Sequence, residues 1–265
     1  MRGAAMSEPS GPPTGPAGPL WADGTTLLVT GGGAGIGAAL CRAFTAAGGQ
    51  VISLGRTPAA LPGGDKGSAN GVPTVRSHHV DLGDPDALDA VLDDLECSGT
   101  PVRYVVNNAS LRAPQALADA DRHHWRETFE VNLFAPMEIC RRIGARLPEG
   151  GAIVNVTSGA ARHLSPGTAA YAASQAALEA ASAVLGRELA ARGVRVNTLA
   201  PGPTGTPGLR RAVERGHSLD EAGLAGRIPL GRLGQADEIA AAIMFLLSPA
   251  AGFVTGQVLA ANGGL

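Results

Sequence analysis

Residues 26–40, TLLVTGGGAGIGAAL, run from an apolar stretch through a glycine-rich turn into an alanine-rich stretch. That order, strand then turn then helix, decides the fold. Gly31, Gly35 and Gly37 carry no side chain where a backbone must bend tightly, approach a pyrophosphate and let a helix pack on a strand. The helix start offers N–H donors and the positive end of its dipole to an anion. The spacing is Gly-x-x-x-Gly-x-Gly, and its position between strand and helix predicts a dinucleotide site.

Outward from that unit, apolar β-type runs alternate with helical stretches: QVISLG, a helix over 84–96, VRYVVNNA, a helix over 121–147, GAIVNVTS, the helix carrying Tyr171, VRVNTLAPG, a helix over 235–248, and QVLAANGG. The first helix is expected over 35–48. This alternation predicts an α/β fold, a doubly wound parallel sheet (Rossmann fold) forming a single domain over 21–265, with ligands at the carboxyl ends of its strands. The Pro- and Gly-dense start, MRGAAMSEPSGPPTGPAGP, predicts a disordered tail over 1–20. Glycine and proline also interrupt 203–234, long enough to serve as a substrate lid around 203–230.

The 265 residues are 45% apolar and 17% charged, the balance of a soluble globular chain. A net charge of −2 and 3% aromatic residues supply no basic field or stacking surface, so no nucleic-acid partner is expected. The run IAAAIMFLL at 239–247 falls short of the ~20 residues of a membrane span, and no apolar leader precedes it; no membrane partner and a cytoplasmic location are expected. Cys41, Cys97 and Cys140 are odd in number and widely spaced, which predicts reduced thiols, mostly in the core. Adjacent histidines on a strand face opposite ways, so His78-His79 and His123-His124 predict surface residues and no metal site. His163 reads either as an exposed loop residue or as an imidazole near a substrate. Asp119, Asp121 and Arg122 read as a helix start.

Seven features in order over roughly 24–264 resemble the short-chain dehydrogenase/reductase family: TGGGAGIG at 30–37, Asp81-Leu82, NNAS at 107–110, Asn132, the pair Ser158 and Tyr171, APGPTGT at 200–206, and VTGQVLAANGG at 254–264. The resemblance implies a nicotinamide cofactor held by Gly31, Gly33, Gly35, Ile36 and Gly37, by Asp81 and Leu82 near the adenine, by Asn108 and Ala109, and by Pro201, Gly202, Thr204 and Thr206 around the nicotinamide. It implies Tyr171 exchanging a proton with a small-molecule substrate, Ser158 orienting the substrate oxygen, and Asn132 ordering its helix and a water. Ser110 replaces the family's glycine, and its side chain either points away or narrows the pocket. Family members assemble through two long helices and the last strand, so a homotetramer or homodimer is expected.

The second strand ends in Gly55-Arg56, with no carboxylate for a ribose 2′-hydroxyl. Arg56 can pair with a 2′-phosphate that a carboxylate would repel, so NADP(H) is expected over NAD(H); the alternative is an exposed loop arginine.

The family places a lysine four residues after the tyrosine; this chain has Gln175. An ammonium ~5 Å from a phenol, at an effective dielectric of ~20, favours the phenolate by ~3 kcal/mol. An amide cannot do this, though it can hydrogen-bond ribose hydroxyls. Oxidation of an alcohol, which needs phenolate as base, should suffer more than carbonyl reduction, which needs the protonated phenol. The expectation is NADPH-dependent reduction of an activated, polyketide-like ketone. Two alternatives stay open: a redox-neutral cyclase, epimerase or dehydratase retaining the nucleotide, and an inactive nucleotide-binding partner subunit.

Overall fold

The computed structural model describes residues 21–59, 74–162, 164–216 and 220–265. Seven parallel strands, β1 (Thr26–Thr30), β2 (Gln50–Gly55), β3 (Val75–His79), β4 (Tyr104–Asn107), β5 (Ala152–Val156), β6 (Arg195–Pro201) and β7 (Val258–Ala261), form one sheet in the order β3-β2-β1-β4-β5-β6-β7. The order reverses between β1 and β4, and the crevice there opens beyond the carboxyl ends of the strands.

The inner strands read as unbroken apolar runs because both faces are covered. In β1, Leu27 and Val29 point to one side, where they join Leu40, Phe44 and Ile243 from helices α1 (Gly35–Ala46) and α8 (Ala236–Leu247). Leu28 points to the other, among Leu88 and Leu92 of α2 (Pro85–Cys97) and Ile139 of α4 (Ala135–Arg142). The edge of the first core is closed by Trp21, Phe44 and Tyr104, whose rings meet edge to face at 5.5–5.9 Å.

Four local features differ from the reading of the sequence. β3 (VRSHH) is an edge strand with polar, half-exposed residues, so no apolar run announces it. The helix expected over 121–147 divides into α3 (Arg122–Phe129), a π-helical segment Glu130–Phe134, and α4. Pro136 has no N–H to give the carbonyl of Asn132 and its ring crowds that carbonyl, which favours the wider turn. The irregular stretch after 203 contains α6 (Pro207–Glu214), capped by Thr206 Oγ1 accepting from Leu209 N–H at 3.2 Å, and the short α7 (Glu221–Ala225), capped by Asp220. His124, expected at the surface, is buried. Asp121 does start α3, accepting from the His124 N–H at 2.8 Å. The expected tail over 1–20 lies outside the described residues.

Candidate active site

The glycine turn is packed tightly by the chain's own backbone and side chains. Gly35 has φ +52, and a Cβ on Gly37 would lie 2.1 Å from the Gly31 carbonyl oxygen, so the backbone tolerates no larger residue there. Helix α1 begins at Ala34 with no side-chain cap, unlike α2, α3, α6 and α7, whose caps are Asp84, Asp121, Thr206 and Asp220. Its first N–H groups therefore remain for a ligand anion. The turn is pinned to β4: Thr30 Oγ1 accepts from the N–H groups of Asn108 (2.9 Å) and Ala109 (3.0 Å), and Asn108 Nδ2 donates to the Thr30 carbonyl at 3.0 Å. These features fit a dinucleotide pyrophosphate.

A cavity of about 780 Å³ opens beyond the ends of β4, β5 and β6. Its walls include Ile36, Arg56, Asn108, Ser110, Ser158, Tyr171, Pro201, Gly202, Thr204 and Thr206, and the α6 side closes it. Gly31, Gly33, Gly35, Gly37, Asp81, Leu82, Ala109, Asn132 and Gln175 are not among its lining residues. Leu82 buries its side chain in the core, leaving only backbone to face a ligand. Asp81 accepts from the Gly83 N–H at 2.9 Å and stands 3.7 Å from Arg56 Nη1, both side chains being more than half exposed.

Ser158 and Tyr171 meet on the cavity wall from different elements. Ser158 follows β5 and accepts from the Ala160 N–H at 3.1 Å, which leaves its hydroxyl proton for a ligand oxygen. Tyr171 lies in the first turn of α5 (Ala169–Ala190). Asn132 ties the loop after β4 to α5: its Oδ1 accepts from the Leu111 N–H (2.7 Å), and its Nδ2 donates to the Leu111 carbonyl and to Ser174 Oγ, each at 3.0 Å. Ser174 Oγ in turn donates to the Tyr171 carbonyl at 2.8 Å. Gln175 is 1% exposed, and its Oε1 is buried without a hydrogen-bond partner among the described residues.

One support escaped the reading of the sequence. Glu179, two helical turns past Tyr171, accepts from Thr157 Oγ1 at 3.0 Å and from Arg162 Nη2 at 2.8 Å, clamping the chain on both sides of Ser158. Its i+8 position on the Tyr171 face was the available signal. His163 lies outside the described residues. Burial pushes the Cys41 and Cys140 thiols up to about 12, so neither is a nucleophile near neutrality, while Cys97 is exposed. Among the described residues no group of three or more His, Cys, Asp or Glu could hold a metal, and no helix is long and apolar enough to cross a membrane.

Residues 31–265 match a family described as enoyl-(acyl carrier protein) reductase. A galactitol 2-dehydrogenase (L-tagatose-forming) of Cereibacter sphaeroides is 38% identical over 247 residues, covering 91% of this chain and 95% of that protein. A 3-oxoacyl-[acyl-carrier-protein] reductase of Salmonella typhimurium is 32% identical over 247 residues, covering 92% and 98%. Among solved structures, a blue fluorescent protein from a metagenomic library in complex with NADPH superposes with a TM-score of 0.79 at 28% identity, covering 92% of this chain and 98% of that one.

Proposed function

The chain belongs to the short-chain dehydrogenase/reductase family of alcohol and carbonyl oxidoreductases, and from that premise we propose that it reduces a carbonyl with NADPH. The observation carrying this reading is the convergence of Ser158 and Tyr171 on one cavity wall, with a neutral amide, Gln175, one turn behind the phenol. The bound nicotinamide, when reduced, supplies the hydride. Tyr171 donates its hydroxyl proton to the carbonyl oxygen, and the Ser158 hydroxyl donates to the same oxygen and fixes its position.

The uncapped start of α1 binds the pyrophosphate. Arg56 takes the ribose 2′-phosphate; its exposed pairing with Asp81 is weak enough to rearrange. Thr204 Oγ1 donates to the Gly202 carbonyl and Thr206 Oγ1 accepts from Leu209. That leaves an acceptor on the first and a hydroxyl proton on the second for the nicotinamide amide. On nucleotide binding the Gln175 side chain, 1% exposed in the free chain, turns its Oε1 to accept from a ribose hydroxyl, satisfying a group that is costly to leave unpaired.

Because an amide supplies no charge, this active site is atypical for its family and works best as a proton donor, which selects reduction over alcohol oxidation. A polyketide-like or β-dicarbonyl ketone, whose product alkoxide is stabilised internally, suits such a donor. The described parts of the segment, 203–216 and 220–230, act as the lid. Exposed Phe134, Val184, Phe245 and Leu259 lie on the helices and terminal strand through which a homodimer or homotetramer would form.

The test is to incubate the protein with NADPH and a panel of activated diketones and to follow both reduced nicotinamide and product. Matched loss of NADPH and gain of alcohol, falling at least ~100-fold in Tyr171→Phe, is the expected result. Product formed without loss of NADPH would replace the reading by a redox-neutral one.

A further inference from the structure

We infer that the substrate carries an anionic group, a carboxylate or a phosphate, held by Arg211, Arg215 and Arg227; the inference rests on the reductase reading and names the substrate class of that same site. Arg56, Arg112 and these three line the cavity shared with Ser158 and Tyr171, and among the described residues no Asp or Glu side chain lines it. Arg56 has its own counter-charge in Asp81. Arg211, Arg215 and Arg227 form no ion pair within 4 Å among the described residues, whereas Arg42, Arg142, Arg162 and Arg232 each hold a carboxylate.

Their arrangement is not that of scattered surface charge. Arg211 and Arg215 are four residues apart, one on α6 and the other its C-cap, so they share a face, and like charges at that spacing repel. The helix dipole relieves some of this at a C-terminus, and Arg227, just past the C-cap of the short α7, lines the same cavity. The α6 and post-α7 parts of the lining thus both carry guanidinium groups, whose planar donor forks match carboxylate and phosphate oxygens. A cleft lined by one sign of charge concentrates ligands of the other sign. The distribution is local, since the chain as a whole carries a net charge of −2.

The experiment compares matched carbonyl probes: acetoacetate against methyl acetoacetate, and dihydroxyacetone phosphate against dihydroxyacetone. In each pair kcat/KM should favour the charged member, the first pair reporting a carboxylate and the second a phosphate. In Arg211→Gln, Arg215→Gln and Arg227→Gln the charged-to-neutral ratio should fall about tenfold each, as expected for one lost charge-assisted contact. Arg210→Gln, on the same helix but outside the lining, should keep the wild-type ratio. Equal turnover of charged and neutral members, or ratios indifferent to all three substitutions, overturns the inference and leaves the reductase reading intact. If no probe is reduced, calorimetric titration of the NADPH-loaded protein with acetoacetate and dihydroxyacetone phosphate decides. Binding weakened in Arg211→Gln supports the inference while the failed turnover counts against the reductase reading, and no binding of either anion overturns it.

Discussion

Tyr171 and Gln175 stand one turn apart on α5, both buried, and the amide oxygen of Gln175 has no hydrogen-bond partner among the described residues. A neutral amide in that place brings no positive charge to the site, as an ammonium would. Gln175→Lys should therefore accelerate oxidation of a simple alcohol by at least ~10-fold more than it accelerates ketone reduction. Initial rates in both directions check this, and equal effects in the two would remove the account of Gln175.

Arg56 and Asp81 stand 3.7 Å apart on an open rim. Arg56→Asp would set two carboxylates where the proposed 2′-phosphate binds. The Kd for NADPH should rise at least ~10-fold more than that for NADH. Titrating protein fluorescence with each nucleotide measures both constants, and parallel changes would sink the NADP(H) preference.

Asn132 is 1% exposed and spends its amide on Leu111 and Ser174, tying the β4 loop to the helix that carries Tyr171. Asn132→Ala strands the Leu111 N–H and carbonyl together, which should cost about 2–4 kcal/mol of stability. Urea unfolding of the two proteins measures the difference; a loss below about 0.5 kcal/mol would show that the loop finds other partners.

The three thiols should separate cleanly. Cys97 is exposed, while Cys41 and Cys140 are buried and pushed up to about 12. A thiol reagent should label Cys97 fast in the native protein and the other two only on unfolding. The same shifts set an alkaline limit. Between about pH 9 and 12 the unfolded chain has lost protons that the folded chain keeps, so stability is full below that window and falls as pH rises through it. Unfolding curves across that range, for wild type and Cys140→Ser, would expose a flat profile if the burial were wrong.

Much of this was legible in the order of residues. The glycine turn could be read because its demands are local: a positive φ at Gly35 and contact distance at Gly37 permit no other residue. The inner strands could be read because burial on both faces forces continuous apolar runs. β3 could not, since an edge strand with one exposed face has no such obligation. The break at Glu130–Phe134 was signalled by Pro136, but a proline in an otherwise helical rhythm does not say whether the helix stops or widens. Thr206-Pro207 carried a recognisable cap and first-turn proline, and the glycines around them hid the short helix α6. The clamp of Glu179 on Thr157 and Arg162, and the placing of Arg211 and Arg227 in the lining of one cavity, depend on chain crossings that no local pattern encodes.

Hydride transfer is the step on which the whole account turns, and isotopic labelling observes it without assuming the natural substrate. NADPH deuterated on the transferring face of its nicotinamide ring, incubated with the protein and an activated diketone, should yield an alcohol bearing deuterium on the new carbinol carbon, with Tyr171→Phe suppressing its formation. A converted product free of deuterium, with the labelled nucleotide recovered unchanged, would contradict reduction by this site.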